Sequence, residues 1–204
     1  MTVEVFAQAL LIGLSIAAPV GPIGLLVIQR TLQRGAVVGL ATGLGAAAAD
    51  ALYGAIGAYG VTVLIDALQS ARVPLAMVGG AFLLWLAWRS WKAVPAERAA
   101  TAADARGLVG CLAGTFVLTL SNPATIFSFV AIFGTLGARN AGASPALMVA
   151  GVLLGSALWW LCLSAGVARA RHRLDARWQR RINRASALLL AGFACWQWAG
   201  LWAR

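Results

Sequence analysis

The run Gly43-Leu44-Gly45-Ala46-Ala47-Ala48-Ala49-Asp50-Ala51-Leu52-Tyr53-Gly54 sets a carboxylate among small and apolar residues. Between positions 37 and 64 the only other ionisable side chains are Tyr53 and Tyr59. Such a run is long enough for a helix to cross a bilayer, which takes ~20 apolar residues. A charged acid near the centre of a membrane helix costs roughly 2.5–3.5 kcal/mol on insertion scales. A chain that keeps Asp50 there is expected to use it on protons, ions or a charged substrate.

The rest of the chain has the same character. Of its 204 residues 61% are hydrophobic and 11% charged, where a soluble domain has about 25% charged residues. The expected class is an all-α integral membrane protein. Six apolar segments fall near 5–28, 37–64, 73–91, 108–136, 145–168 and 185–202. The first lacks the basic flank of a signal peptide and reads as a retained span. The first and fourth are long and carry proline, which predicts broken or re-entrant helices. Cys111, Cys162 and Cys195 lie in apolar runs without a C-x-x-C pair, so neither a disulfide framework nor a zinc site is indicated. No nucleotide-binding signature occurs, and neither a cofactor nor a bound metal is expected.

The formal net charge of +10 could suggest nucleic acid, but its distribution points to membrane topology. The loops after spans one, three and five carry Arg30 and Arg34, then Arg89, Lys92, Arg98 and Arg106, then the seven arginines of 169–184. The opposite side carries Arg72, Arg139 and Arg204, a split of thirteen to three. By the positive-inside rule both termini face away from the cytoplasm. Leu174, Trp178 and Ile182 recur every four residues within 169–184 and predict a basic helix lying on the cytoplasmic leaflet. Trp85, Trp88, Trp91, Trp196, Trp198 and Trp202 sit near span ends, where tryptophan anchors at the interface.

The two halves of the chain resemble each other. Gly45, Asp50, Ala51, Leu52, Tyr53 and Gly60 are answered at the same offsets by Gly151, Ser156, Ala157, Leu158, Trp159 and Gly166. The first span holds Ala18-Pro19-Val20-Gly21-Pro22 and the fourth Ser121-Asn122-Pro123. Three spans per half is an odd number, so the second half enters the membrane from the other side. The expected architecture is a single transporter domain over 1–204, six helices in a 3+3 inverted repeat. Its halves, about 1–93 and 107–204, are joined by a short cytoplasmic loop. Paired interrupted helices in an inverted repeat point to a binding site at the midplane.

Proline removes a backbone donor and clashes with the preceding turn. Freed amides at a half-helix N-terminus suit a carboxylate, and freed carbonyls suit an ammonium group. An amino acid carries both. Pro19, Gly21, Pro22, Asn122 and Pro123 are therefore the expected site residues, with Asp50 binding a proton or the substrate ammonium. Tyr53, one turn from Asp50, is counted with them.

The stretch 18–22 with Gly24-Leu25-Leu26-Val27-Ile28, then Thr31-Leu32, Gly35, Gly39-Leu40, Gly45, Asp50 and Tyr53, resembles the opening signature of the LysE/RhtB family of amino-acid exporters. Ser121-Asn122-Pro123-Ala124-Thr125 with Phe127 and Phe133 resembles that family's fourth-span motif. The likeness covers essentially the whole chain. It departs at Ala49, where many members have glycine, and at Ala124, where many have lysine. The resemblance implies a bacterial inner-membrane, multi-pass protein that is not an enzyme. Such a protein moves amino acids or related metabolites out of the cytoplasm, driven by an ion gradient; with Asp50 in the membrane, protons are the expected coupling ion, and no nucleic-acid partner is expected. Two alternatives use the same fold. A metal-cation exporter would need more acids, thiols or histidines in the membrane. An intramembrane thiol oxidoreductase would need a reactive cysteine pair.

Overall fold

The computed structural model describes residues 2–19, 21–59, 70–92, 105–122, 125, 128–129, 144–171 and 176–202. Among these the chain is helical throughout. The helices are α1 (Thr2–Ala17), α2 (Pro22–Arg34), α3 (Ala36–Ala58), α4 (Arg72–Lys92), α5 (Ala105–Leu120), α6 (Pro145–Arg171) and α7 (Ala176–Trp202).

Proline chemistry explains the first break. A residue before proline is driven out of the α region, so α1 stops at Ala17, ahead of Ala18-Pro19. Pro22 opens α2, at the one helical position where a missing N–H costs nothing, with Gly21 extended as N-cap. The two helices meet at 78°, and together they are apolar enough to form one broken span. Helices α3 and α6 are each long and apolar enough to cross a bilayer unaided. Helix α5 is shorter and ends at Leu120, directly before Ser121-Asn122. Pro123, and most of the fourth segment beyond it, lie outside the described residues.

Two expectations are corrected. Arg30 and Arg34 do not lie in a loop, because α2 continues past Ile28 to Arg34. Gly35 alone separates α2 from α3, at a φ of 94° that L side chains rarely adopt. The basic stretch does not form a separate surface helix either. Its second part is the opening of α7, continuous with the last apolar segment. Asn183, Ser186, Ala187, Leu190 and Ala194 make one buried stripe that begins inside the basic stretch. Its start docks on α2 through a Gln33 Nε2 to Asn183 Oδ1 hydrogen bond of 3.3 Å. Trp178 is exposed with Arg181 over its ring, and Leu174 lies outside the described residues.

Helix α3 is central. It packs against α6 on one side and α5 on another, and α2 folds back onto it. Helix α1 runs along α6, and α4 runs along α7. The outer face of α6 presents Leu153, Leu154, Leu158 and Leu161, while Val152, Ser156, Trp160 and Ser164 face inward. This is the pattern of a helix with lipid outside and small or polar groups between helices. Trp198 packs on Gly80 and donates to the Ala76 carbonyl at 3.2 Å, tying α7 to α4.

Two close approaches set the spacing. A Cβ on Gly45 would overlap the Leu112 carbonyl of α5, and one on Gly155 would overlap the Leu10 carbonyl of α1. Backbone cannot yield as a flexible side chain can, and overpacking typically costs 1–3 kcal/mol. Gly45→Val and Gly155→Val should each destabilise the detergent-purified protein by about that amount. A lowered thermal midpoint is the expected readout, and an unchanged midpoint in both variants would contradict the packing.

Candidate functional site

The two interrupted helices end against the same space. At the first break the Gly21 amide donates to the Pro19 carbonyl at 2.9 Å, and the Leu25 amide donates to the Gly21 carbonyl at 3.0 Å. The first turn of a helix leaves its leading amides without partners inside the helix. In α2 these belong to Ile23 and Gly24, since Pro22 has none. They form the positive end of the helix dipole.

The end of α5 presents the opposite polarity. The Tyr53 hydroxyl of α3 donates to the Leu120 carbonyl at 2.8 Å. Gln197 Nε2 of α7 donates to the Ser121 carbonyl at 3.5 Å and to Ala76 of α4 at 3.1 Å. The chain then turns through Asn122, whose amide reaches back to Thr119 and whose carbonyl accepts from the Thr125 amide, each at 3.1 Å. Side chains from α3 and α7 thus brace the carbonyls that helix termination frees.

Asp50 is 3% exposed and lies where α3 crosses α6. Ser156 Oγ donates to Asp50 Oδ2 at 2.7 Å, and Trp160 Nε1 donates to Ser156 Oγ at 3.1 Å. The two bonds run in one direction, from indole to hydroxyl to carboxylate. The Trp160 side chain lies against Gly43, where a Cβ would overlap it.

Two adjoining cavities open at these ends. The smaller, about 70 Å³, is lined by Asp50, Ala46, Thr119, Trp160 and Gly24 together with both breaks. The larger, about 300 Å³, extends to Gly79 and Leu83 of α4 and to Phe193, Trp196 and Gln197 of α7. Pro19, Gly21, Pro22 and Asn122 line both. Four of the expected site residues therefore share one wall, and Asp50 faces the smaller cavity. Tyr53 lines neither. It braces α5 and stacks on Phe129 with ring centroids 5.6 Å apart. Pro123 lies outside the described residues.

Sequence reading missed several participants. Thr115 and Thr119 stand one turn apart on α5, a polar spacing that could have been noticed; both are buried. Gln197 is a lone amide in an apolar segment, and Thr125 closes the turn after Asn122. Arg30 is the least expected. Its Nη1 donates to Thr42 Oγ1 at 3.0 Å and, at 3.4 Å, to Thr115 Oγ1 and the Cys111 carbonyl. A residue counted as a loop cation thus pins α2 to α3 and α5.

A family model described as LysE type translocator matches residues 14–197. The chain is 32% identical to "Uncharacterized membrane protein YahN" of Escherichia coli, over 82% of this chain and 77% of that protein. It is 29% identical to "Chemotactic transduction protein ChpE" of Pseudomonas aeruginosa, over 93% of this chain and 95% of that protein. It is 26% identical to "Putative amino acid efflux protein YcgF" of Bacillus subtilis, over 93% and 94% of the two chains. No solved structure gives a significant match.

Removing the Tyr53 hydroxyl takes away one strut of this site. Tyr53→Phe leaves the ring stack in place and removes this donor from the Leu120 carbonyl, a loss of about 1 kcal/mol for a partly buried bond. A lower thermal midpoint at unchanged expression is expected. A midpoint equal to wild type would show that water or another donor serves that carbonyl.

Proposed function

The chain belongs to the LysE type translocator family, and from that premise we propose that it exports amino acids or related small metabolites across the bacterial plasma membrane, in exchange for protons. The observation that carries the reading is the pair of helix ends at one cavity. The amides of α2 offer partial positive charge, the end of α5, with Thr119 and Asn122 on the cavity wall, offers partial negative charge, and Asp50 stands beside them. A zwitterion needs both signs within one small volume, and broken membrane helices supply them without fixed charges. A volume of about 300 Å³ sits at the lower end of the range for small-molecule sites. Translocation makes and breaks no covalent bond, so the protein acts as a carrier and not as an enzyme.

The same reading assigns six spans, halves of about 1–93 and 107–204 in inverted topology within one transport domain, a short cytoplasmic loop between them, and both termini outside the cytoplasm. Several contacts support it. Between the halves, packing of α5 on α3 corresponds to packing of α1 on α6, with the roles of the two halves exchanged. Gly45 admits the backbone of α5, and its counterpart Gly151 admits that of α1 at Phe6. Asp50 and Ser156, equivalent in the repeat, hydrogen-bond to each other, as equivalent residues do only near a two-fold axis. In the proposed cycle the halves rock about this crossing. Asp50 takes a proton from the outer side and gives it up toward the cytoplasm as substrate binds. Pro19, Gly21, Pro22, Asn122 and Pro123 shape the substrate site, and Tyr53 positions it.

Inside-out membrane vesicles with an acidic lumen test the cycle. Asp50→Asn, at equal membrane abundance, should lose accumulation driven by the pH gradient, by tenfold or more. Accumulation at the wild-type rate would remove Asp50 as the coupling group. Reporter fusions after Arg204 should be active on the periplasmic side, and cytoplasmic activity there would reject the six-span topology.

A further inference from the structure

We infer that the substrates are amino acids with uncharged, predominantly apolar side chains, and that basic and acidic amino acids are excluded. This rests on the export reading above and concerns the two cavities described there.

Groups that suit the constant part of an amino acid gather at the smaller cavity, where Asp50, the start of α2 and Asn122 meet. Among the described residues, the space that adjoins it is the cavity of about 300 Å³ toward α4 and α7, and the side chain enters there. Its walls include Ile23, Leu83, Leu118, Phe193 and Trp196, and its polar members, Gln197 among them, are neutral amides and hydroxyls. The neutrality extends along the apolar segments of the sequence. No Asp, Glu, Lys, Arg or His occurs at 5–29, 73–88, 107–138, 140–168 or 185–203, and Asp50 is the sole one at 37–65. Any wall contributed by these segments is therefore uncharged. Gln197 directs its amide donors at the carbonyls of Ala76 and Ser121, so they are engaged in joining α7 to α4 and to the end of α5.

Charge counting then sets the specificity. A zwitterion is neutral and finds one acid and two helix ends of opposite polarity. Lysine or arginine brings a second positive charge. If Asp50 receives the side chain, the α-ammonium loses its carboxylate; if Asp50 receives the α-ammonium, the side-chain charge lies in an apolar chamber. Glutamate or aspartate brings a second negative charge, and no cation is among the described residues of either cavity wall. The sole arginine described inside the bundle, Arg30, is already bonded to Thr42, Thr115 and the Cys111 carbonyl and lines neither cavity. A charge buried without a partner lowers binding by about a hundredfold or more.

The test is uptake into inside-out vesicles with an acidic lumen, comparing radiolabelled leucine, methionine, lysine and glutamate at equal concentration. Leucine and methionine should accumulate at least about a hundredfold faster than lysine or glutamate. Lysine or glutamate moving at rates comparable to leucine would overturn the inference and leave the export reading standing. Accumulation of none of the four by wild-type protein, where control vesicles hold their gradient, would count against the export reading and the inference alike. Phe193→Ala supplies a second arm, since it widens the larger cavity without touching Asp50 or either break. It should raise the phenylalanine-to-alanine uptake ratio several-fold, and because the readout is a ratio it is independent of how much protein folds. An unchanged ratio would show that the side chain does not occupy this chamber.

Discussion

Inside hydrocarbon a backbone group that leaves a helix must find a protein partner or a wetted cavity, and the architecture of this chain follows from meeting that demand at two places. The carbonyls at the end of α5 are braced from α3 by Tyr53 and from α7 by Gln197. The amides at the start of α2 face a cavity. The bracing residues must come from helices that are themselves held close, and this is where the small residues act. Gly45 lets α5 approach α3, and Gly155 lets α1 approach α6. A larger residue at either position would open a gap where the polar ends have to meet their partners. The glycine-rich composition and the broken spans are therefore two sides of one requirement.

The hydrogen bond from Ser156 to Asp50 joins the two helices at the centre of the bundle. Its strength depends on charge. A hydroxyl donating to a carboxylate makes a bond roughly twice as strong as one between neutral groups. In the proposed cycle, protonating Asp50 would weaken the tie between α3 and α6, and deprotonating it would restore the tie. The proton would thus act on the same crossing about which the two halves rock. Trp160, donating to Ser156 from one turn further along α6, fixes the serine hydroxyl so that its own proton points at the carboxylate.

Much of this was legible in the sequence, for definable reasons. A lone acid in an apolar run is conspicuous because its cost is high and local, and Asp50 proves to be buried and hydrogen-bonded. Proline acts on the backbone around it, so breaks in the first and fourth segments could be expected, though not the residues at which α1 and α5 end. What was not legible depended on distant contacts. Nothing local distinguishes an arginine in a loop from one extending a helix, and Arg30 is fixed by threonines far along the chain. The basic stretch has an apolar stripe of the right period for a surface helix, yet the stripe that prevails runs through Asn183, Ser186 and Leu190 and continues into the last span. Tyr53 was read as a wall of the site from its closeness to Asp50, whereas its hydroxyl reaches across to another helix. Sequence spacing tells which residues share a face, and not which neighbour that face meets.

The difference between the two halves at their matching polar positions has a physical reason within the inverted-repeat reading. Equivalent residues near a two-fold axis face each other. Two aspartates there would place like charges within hydrogen-bonding distance, and such a pair cannot both ionise at low cost. Two serines would leave no titratable group. Aspartate opposite serine provides one acceptor that can carry charge and one donor to meet it, so a single proton changes the state of the crossing. The same reasoning extends to the neighbouring pair. Tyr53 is used to brace α5, and its counterpart Trp159 cannot serve as an acceptor or offer a hydroxyl. The helix ends in the two halves are thus held differently. Some asymmetry of this kind is needed if one half is to present donors and the other acceptors to a substrate that has two unlike ends.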